Sequence, residues 1–386
     1  MLAFGQFFEN VGEENGLDFS SGISNLGNGV SFFDFDGDGW NDLTFPVSQD
    51  SLKIFKNIDG QFSPLPSPFY CSAEAKQVNW VDFDNDGDYD LFVTQYLGNC
   101  ALLKNTDGVF VNISQTAGIP AFLNAPTFGA SWADYDKDGF LDVYICNYDS
   151  ALLHENWLLH NNGDGTFEEV GQALGVSNGF AATFQSSWID YDNDGWADLF
   201  VINDKAEPNF LYRNNSNGTF TDISELTELD VVMDAMSITV ADYDNNSTLD
   251  IYITDEPPHN ALFRKGAIGY QDLAFEAGVA LDHLSWGAVF IDYDNDLDDD
   301  LFINTTSFPN DFKNFFFANT GSTFTDASWL GLDDKSHASY GAAKGDFNRD
   351  GFNDLVVSNA NGDPQDLYMT PTNDNHSITI SLEGTI

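Results

Sequence analysis

The chain has 386 residues, 42% of them apolar, and its 13 Lys and Arg against 62 Asp and Glu leave a net charge of −49. That sign disfavours nucleic acid and anionic membranes as partners, and no apolar run is long enough to insert directly into a bilayer. Three cysteines, Cys71, Cys100 and Cys146, are too few for a disulfide scaffold and lack zinc spacing.

At the N-terminus, Met1-Leu2 runs directly into fold-like sequence with no visible signal peptide. The chain is therefore expected to be a trimmed or partial form of an exported protein. Phe8, Val11 and Gly16 then show an aromatic residue, an apolar residue three later and Gly eight later. The same signature closes later repeats.

The first acidic loop places Asp34, Asp36, Asp38 and Asp42 at positions 1, 3, 5 and 9, with Gly39 at position 6. Short carboxylates on alternate residues can converge on one hard cation. Gly permits the sharp turn, and the Trp40 carbonyl at position 7 and a bidentate Asp42 would raise the oxygen count into the range Ca²⁺ prefers.

The loop recurs about every 50 residues. The second copy has Asp82, Asp84, Asp86 and Asp90, with Asp88 at position 7. The third has Asp134, Asp136, Asp138 and Asp142 with Phe140, and the fourth Asp190, Asp192, Asp194 and Asp198 with Trp196. The fifth reads Asp242, Asp244, Asn246 and Asp250, with Ser247 in place of Gly.

The sixth reads Asp292, Asp294, Asp296 and Asp300, with Leu297 where a positive φ strains a branched side chain, and adds Asp298 and Asp299. The seventh reads Asp346, Asn348, Asp350 and Asp354, with Phe352 at position 7. Weaker or altered ion binding is expected at the fifth and sixth, and about five to seven Ca²⁺ in all. An EF-hand is excluded, because position 12 is apolar in every copy (Phe45, Val93, Ile145, Val201, Ile253, Ile303, Val357).

Around each loop the grammar repeats. A strand such as Ser187-Trp188-Ile189 precedes it and an apolar strand such as Leu199-Phe200-Val201 follows. A third strand such as Phe210-Leu211-Tyr212 leads through an Asn- and Gly-rich hairpin to a fourth that opens on an aromatic residue, such as Phe167 or Phe220. Four antiparallel strands per repeat make a propeller blade. The fold class is therefore all-β, a seven-bladed β-propeller.

The fourth-strand signature follows six loops and is missing after Asp366-Leu367-Tyr368-Met369. Phe8–Val11 should complete that last blade and close the ring, removing an exposed edge. Residues 1–370 form the propeller, and 371–386 read as a linker and the first strand, Ser377 to Leu382, of a further module.

These loops and hairpins resemble the FG-GAP/VCBS repeats of integrin α propellers. Asn161-Asn162-Gly163-Asp164-Gly165-Thr166-Phe167 beside Asp-Tyr-Asp-Asn-Asp-Gly loops looks most like the cartilage acidic protein/UnbV group. There a small ASPIC/UnbV module follows the propeller, and His376 to Gly384 is similar to its opening. The resemblance implies a secreted, periplasmic or cell-surface protein with bound Ca²⁺ and a part in adhesion or recognition.

Two functions follow. One is a monomeric, calcium-stabilised recognition module for a protein or carbohydrate ligand, docking on the face opposite the acidic loops. The other is an enzyme of lyase or dehydratase type acting on polysaccharide. His283 and His337 each stand nine residues before their loops, and side by side at a central funnel they could serve as acid and base. Trp80, Trp132 and Trp188, and the aromatic residue at loop position 2, are expected to pack blade against blade. Cys71 and Cys100 fall in connections on one face, where a disulfide is as open a possibility as two thiols.

Overall fold

The computed structural model describes residues 7–22, 24, 26–121, 125–148, 154–205, 207–306, 313–332, 337–360 and 362–378. Seven four-stranded antiparallel sheets form seven blades, numbered here in the order of their acidic loops. In the fourth blade the strands are Ala182–Ile189, Asp198–Asp204, Phe210–Asn214 and Phe220–Asp222, each paired with the next. The acidic loop is the turn between the first and second strands. All seven loops therefore lie on one face, and the connections after the second and fourth strands lie on the other.

The first strands run along the ring axis. Residues Gln77, Gly129, Gln185, Ser237, Gly287 and Gly341 of six of them wall an axial cavity of about 350 Å³. The second strands are apolar almost throughout because both of their faces are covered. Leu199, Phe200, Val201 and Ile202 are all fully buried, so the apolar position 12 is the middle of a strand sandwiched between blades.

Each core cluster spans a blade boundary. One joins Tyr135, Tyr144 and Leu158 of blade 3 to Leu199, Val201 and Tyr212 of blade 4. Burying a side chain of this size contributes about 2–3 kcal/mol.

The aromatic residue at loop position 2 packs against the next blade all round the ring. Phe83 meets Phe167 at 5.9 Å, Tyr135 meets Phe220 at 5.7 Å, Tyr243 meets Phe324 at 5.7 Å and Phe347 meets Phe62 at 4.9 Å between ring centroids. Trp80 stacks on Phe35 at 4.5 Å, Trp188 lies parallel to Tyr135, and Trp132 meets Phe92 and Phe167 edge-on. The expected packing role of these residues is what the structure has.

The ring closes as expected. Glu9 and Asn10 pair with Met369 and Tyr368, and the Val11 N–H donates to the Leu367 carbonyl at 2.8 Å. Phe8 takes the outer-strand aromatic place of blade 7, 5.8 Å from Tyr293 of blade 6. Residues 371–378 continue without regular structure, and most of the strand expected from Ser377 to Leu382 lies outside the described residues.

Away from the acidic loops the axis is filled. Phe128, Phe184, Met236, Trp286 and Tyr340, each near the start of a first strand, converge there, with Phe128 and Phe184 edge-to-face at 4.8 Å. In blades 2, 3, 4, 6 and 7 a β-bulge at this point turns the side chain inward. Lys76 occupies the place in blade 2. Its buried ammonium sits 4.6 Å from the Phe128 ring centroid and donates to Glu74 at 2.5 Å and to the Gly27 carbonyl at 3.0 Å.

Candidate metal centres

Every acidic loop is built by its own backbone. The position-1 carboxylate accepts the N–H groups of positions 5 and 6 in all seven. Asp190 takes Asp194 at 3.0 Å and Gly195 at 2.8 Å, and Asp292 takes Asp296 at 3.1 Å and Leu297 at 3.0 Å. Position 5 accepts the N–H of position 7, as Asp194 does from Trp196 at 2.9 Å and Asn246 from Thr248 at 2.8 Å. Position 6 has φ of +84° at Gly195, +69° at Ser247 and +76° at Leu297. The loop shape is thus kept where Gly is absent, at a cost of about 1 kcal/mol for each side chain forced into that region.

In blades 1 to 4 this scaffold brings three of the four expected carboxylates together. Asp82, Asp84 and Asp86, then Asp134, Asp136 and Asp138, then Asp190, Asp192 and Asp194 each bring one oxygen within 4.8 Å of the others, as do Asp34, Asp36 and Asp42 in blade 1. In blades 2, 5 and 6 one oxygen of the position-3 carboxylate (Asp84, Asp244, Asp294) is buried with no hydrogen-bond partner among the described residues. A buried, unpartnered anionic oxygen is costly unless a cation or donor meets it. The residues present therefore fit a hard divalent cation.

Position 9 does more than expected of a ligand. Asp42, Asp90, Asp142, Asp198, Asp250, Asp300 and Asp354 are at most 2% exposed. One oxygen accepts the backbone N–H at the end of the third strand, at 2.7 Å from Asn57, Asn105, Asn214 and Lys265 and at 2.8 Å from Asn161, Asn319 and Thr370. The other takes the position-2 N–H in six loops, for example Tyr191 to Asp198 at 3.0 Å. In blade 5 that oxygen of Asp250 is unpartnered. Burial, helped by the neighbouring loop carboxylates, pushes Asp42, Asp90, Asp198, Asp250 and Asp354 up to about 7 and Asp300 to about 8, against their backbone hydrogen bonds.

Sequence reasoning missed three features of these centres. The Asn ending the third strand is an interblade latch. Asn214 Nδ2 donates to the Tyr135 carbonyl of the previous blade at 2.7 Å and to Ala197 at 3.2 Å, and Asn57, Asn161 and Asn319 repeat the pattern. In blade 5 Lys265 replaces it and lies between the Tyr191 and Tyr270 rings.

The residue before that Asn is basic in five blades. Lys56 and Lys104 pair with loop positions 3 and 5, Arg213 reaches Asp192 at 3.0 Å, Arg264 reaches Asp244 at 2.5 Å, and His160 lies 3.1 Å from Asp142 and 3.5 Å from Asp136. The available signal was a basic–Asn pair ahead of the hairpin turn in blades 1 to 4.

Loop position 4 also has positive φ in every copy, and in five of them its side chain reaches the next loop. Asn85 donates to the Gly139 carbonyl at 2.9 Å and Asn295 to that of Gly351 at 3.0 Å, while Lys137 lies over Trp196 and Arg349 over Trp40.

The histidine pair expected at the funnel is not on it. Neither residue lines the axial cavity. His283 stands edge-on to Phe315 of its own third strand, and His337 lies 3.5 Å from Asp366 and 3.4 Å from Asn359 of its own blade. Nine residues ahead of the loop, the chain has not yet entered the first strand, which begins at Ser285 or Ser339. Cys71 and Cys100 are buried free thiols in different core clusters.

The FG-GAP-like repeat model matches at residues 34–93, 82–145, 134–201 and 190–253, together more than half of the chain, and an FG-GAP repeat matches at 338–380. The chain belongs to the FG-GAP-like repeat family. Each of the four FG-GAP-like matches begins on the first Asp of one loop and ends in the second strand of the next blade, so it takes in two acidic loops and the strands between them.

This FG-GAP propeller is 26% identical over 303 residues to cartilage acidic protein 1 of Mus musculus, covering 68% of the chain and 45% of that relative. The Homo sapiens protein gives the same identity and length, with 44% of it covered. The chain thus spans just under half of the length of these relatives. Among solved structures, BBS1N in complex with ARL6DN aligns with a TM-score of 0.58 at 12% identity, covering 92% of this chain and 95% of that one, which is a likeness of fold. No helix among the described residues is long and apolar enough to cross a membrane.

Proposed function

We propose that this FG-GAP propeller is a calcium-stabilised recognition module, extracellular or at a cell surface, that binds a protein or glycan with the face opposite its acidic loops. The observation that carries the calcium reading is the set of preorganised carboxylates with buried, unpartnered oxygens at Asp84, Asp244 and Asp294. Seven similar centres spread round a ring suit a structural part, because crowded carboxylates repel until a cation joins them and the binding free energy then counts toward folding. The relationship to cartilage acidic protein 1 supports the extracellular setting.

On this reading docking falls to the opposite face. It carries Tyr70, Leu97, Phe180 and Val232, all about half exposed or more, in connections after second and fourth strands. Exposed aromatic and aliphatic groups suit contact surfaces, and Ile58, Ile268 and Leu297 expose apolar groups on the loop face as well. The polysaccharide-acting alternative is not carried further, since neither His283 nor His337 lines the axial cavity.

The test is a binding screen of the calcium-loaded chain against arrayed glycans and matrix proteins. Any ligand found is repeated with Tyr70→Glu and Phe180→Glu, and with Trp196→Glu on the loop face. Loss on the first two alone is expected. Loss on Trp196→Glu alone would move recognition to the loop face.

A further inference from the structure

The seven loops share a backbone but not a charge balance. Loops 1 to 5 each receive a basic side chain from their own third strand. In blades 6 and 7 the corresponding residues are Ala318 and Met369. Arg349, within loop 7, leans away over Trp40 of blade 1. Loop 6 also holds the unpartnered buried oxygen of Asp294.

These two loops are the ones crossed by the chain after its last strand. Asn373 and Asn375 both donate side-chain N–H groups to the Asp294 carbonyl, at 2.6 and 2.8 Å. The Asn375 backbone N–H donates to Asn373 Oδ1 at 2.6 Å. His376, Ser377 and Ile378 wall one side of a cavity of about 590 Å³ whose other walls include Asp292, Leu297 and Asp346. Ser377 lies against Gly351 of loop 7.

We infer that residues 371–378 are a strap docked on loops 6 and 7, held there by the cations of those two loops, an inference that rests on the calcium reading above. The strap's main acceptor is the carbonyl of position 3, in the middle of the ligand set. Without a cation, Asp292, Asp294 and Asp296 repel at close range with no basic side chain from their own third strand to balance them. Loops 1, 2, 4 and 5 keep a Lys or Arg, and loop 3 keeps His160. Loss of calcium therefore disturbs the strap's seat before it disturbs the rest of the ring.

Hydrogen exchange of the full chain, read by mass spectrometry while bound metal is counted, tests this. At saturating Ca²⁺ the Asn375 amide, bonded to Asn373 Oδ1, should be protected within the 371–378 peptide. Stepwise chelation should cut that protection by about tenfold or more while peptides covering 199–202 stay protected. Ala318→Lys combined with Met369→Lys should hold the strap down to lower calcium. Asn373→Ala combined with Asn375→Ala should free it with the metal count unchanged.

Strap protection that ignores chelation while ions leave would overturn the inference and spare the calcium reading. So would protection lost only together with that of 199–202. A chain that binds no metal at all would overturn both.

Discussion

Asp198 and Asp194 belong to one loop, yet the structure gives them different work. Asp198 is fully buried and accepts the N–H groups of Asn214 and Tyr191, whereas Asp194 is exposed and accepts one from Trp196. Asp198→Ala leaves two buried donors unpaired and should cost roughly 3 kcal/mol. Asp194→Ala should cost under about 1 kcal/mol. The comparison belongs in chelator at pH 5.5, where protonation removes the ionic penalty of Asp198, and is read from urea unfolding. In calcium instead of chelator, each variant should bind one metal ion fewer than the parent. Equal destabilisation would mean that position 9 is only a ligand. The clustering of the alternate carboxylates was legible, because alternate Asp residues around a Gly state their geometry locally. The double role of position 9 was not, since its partners stand at the end of another strand.

At the scale of the element, the closing strand shows what counting could reach. Six fourth-strand signatures against seven loops point to Phe8 as the missing copy, and the structure seats it against Tyr293 and Phe316, at 5.8 and 5.3 Å. Phe8→Ala should therefore cost about 3–4 kcal/mol, as for other buried aromatic residues, and should raise exchange at Tyr368 and Met369 before other blades respond. A variant as stable as the parent would show that the strand is an ornament. The Asn latch escaped the same counting because Asn is common in hairpin turns anyway, so its reach to Tyr135 in the previous blade left no separate mark. The histidines fail for a related reason. An equal offset from the loop places His283 and His337 in equivalent connections, but the first strand, which alone faces the axis, begins two residues later. The bulges that aim Phe128, Phe184, Trp286 and Tyr340 into the channel are likewise products of strand pairing that residue spacing does not reveal.

For the whole molecule the net charge of −49 and the buried loop carboxylates act together. Position-9 groups such as Asp42, Asp198 and Asp354 sit at about 7 in the folded state against an ordinary 3.8. Their contribution to stability is thus present in full below about pH 4 and lost as pH rises through about 7. Without metal the chain should melt higher at pH 5 than at pH 8, and reduced self-repulsion at the lower pH acts in the same direction. With saturating Ca²⁺, which favours the ionised form, the order should reverse. Melting curves at the two pH values, in chelator and in calcium, check both signs. Identical order in both solutions would separate the loops from calcium.

The most direct measurement is thermal unfolding with millimolar Ca²⁺ and with chelator, on protein whose bound metal has been counted. About five to seven ions per chain are predicted, together with a melting temperature that falls sharply, or a ring that fails to stay folded, when they are removed. A chain that carries no metal, or that melts at the same temperature in both solutions, would contradict the account.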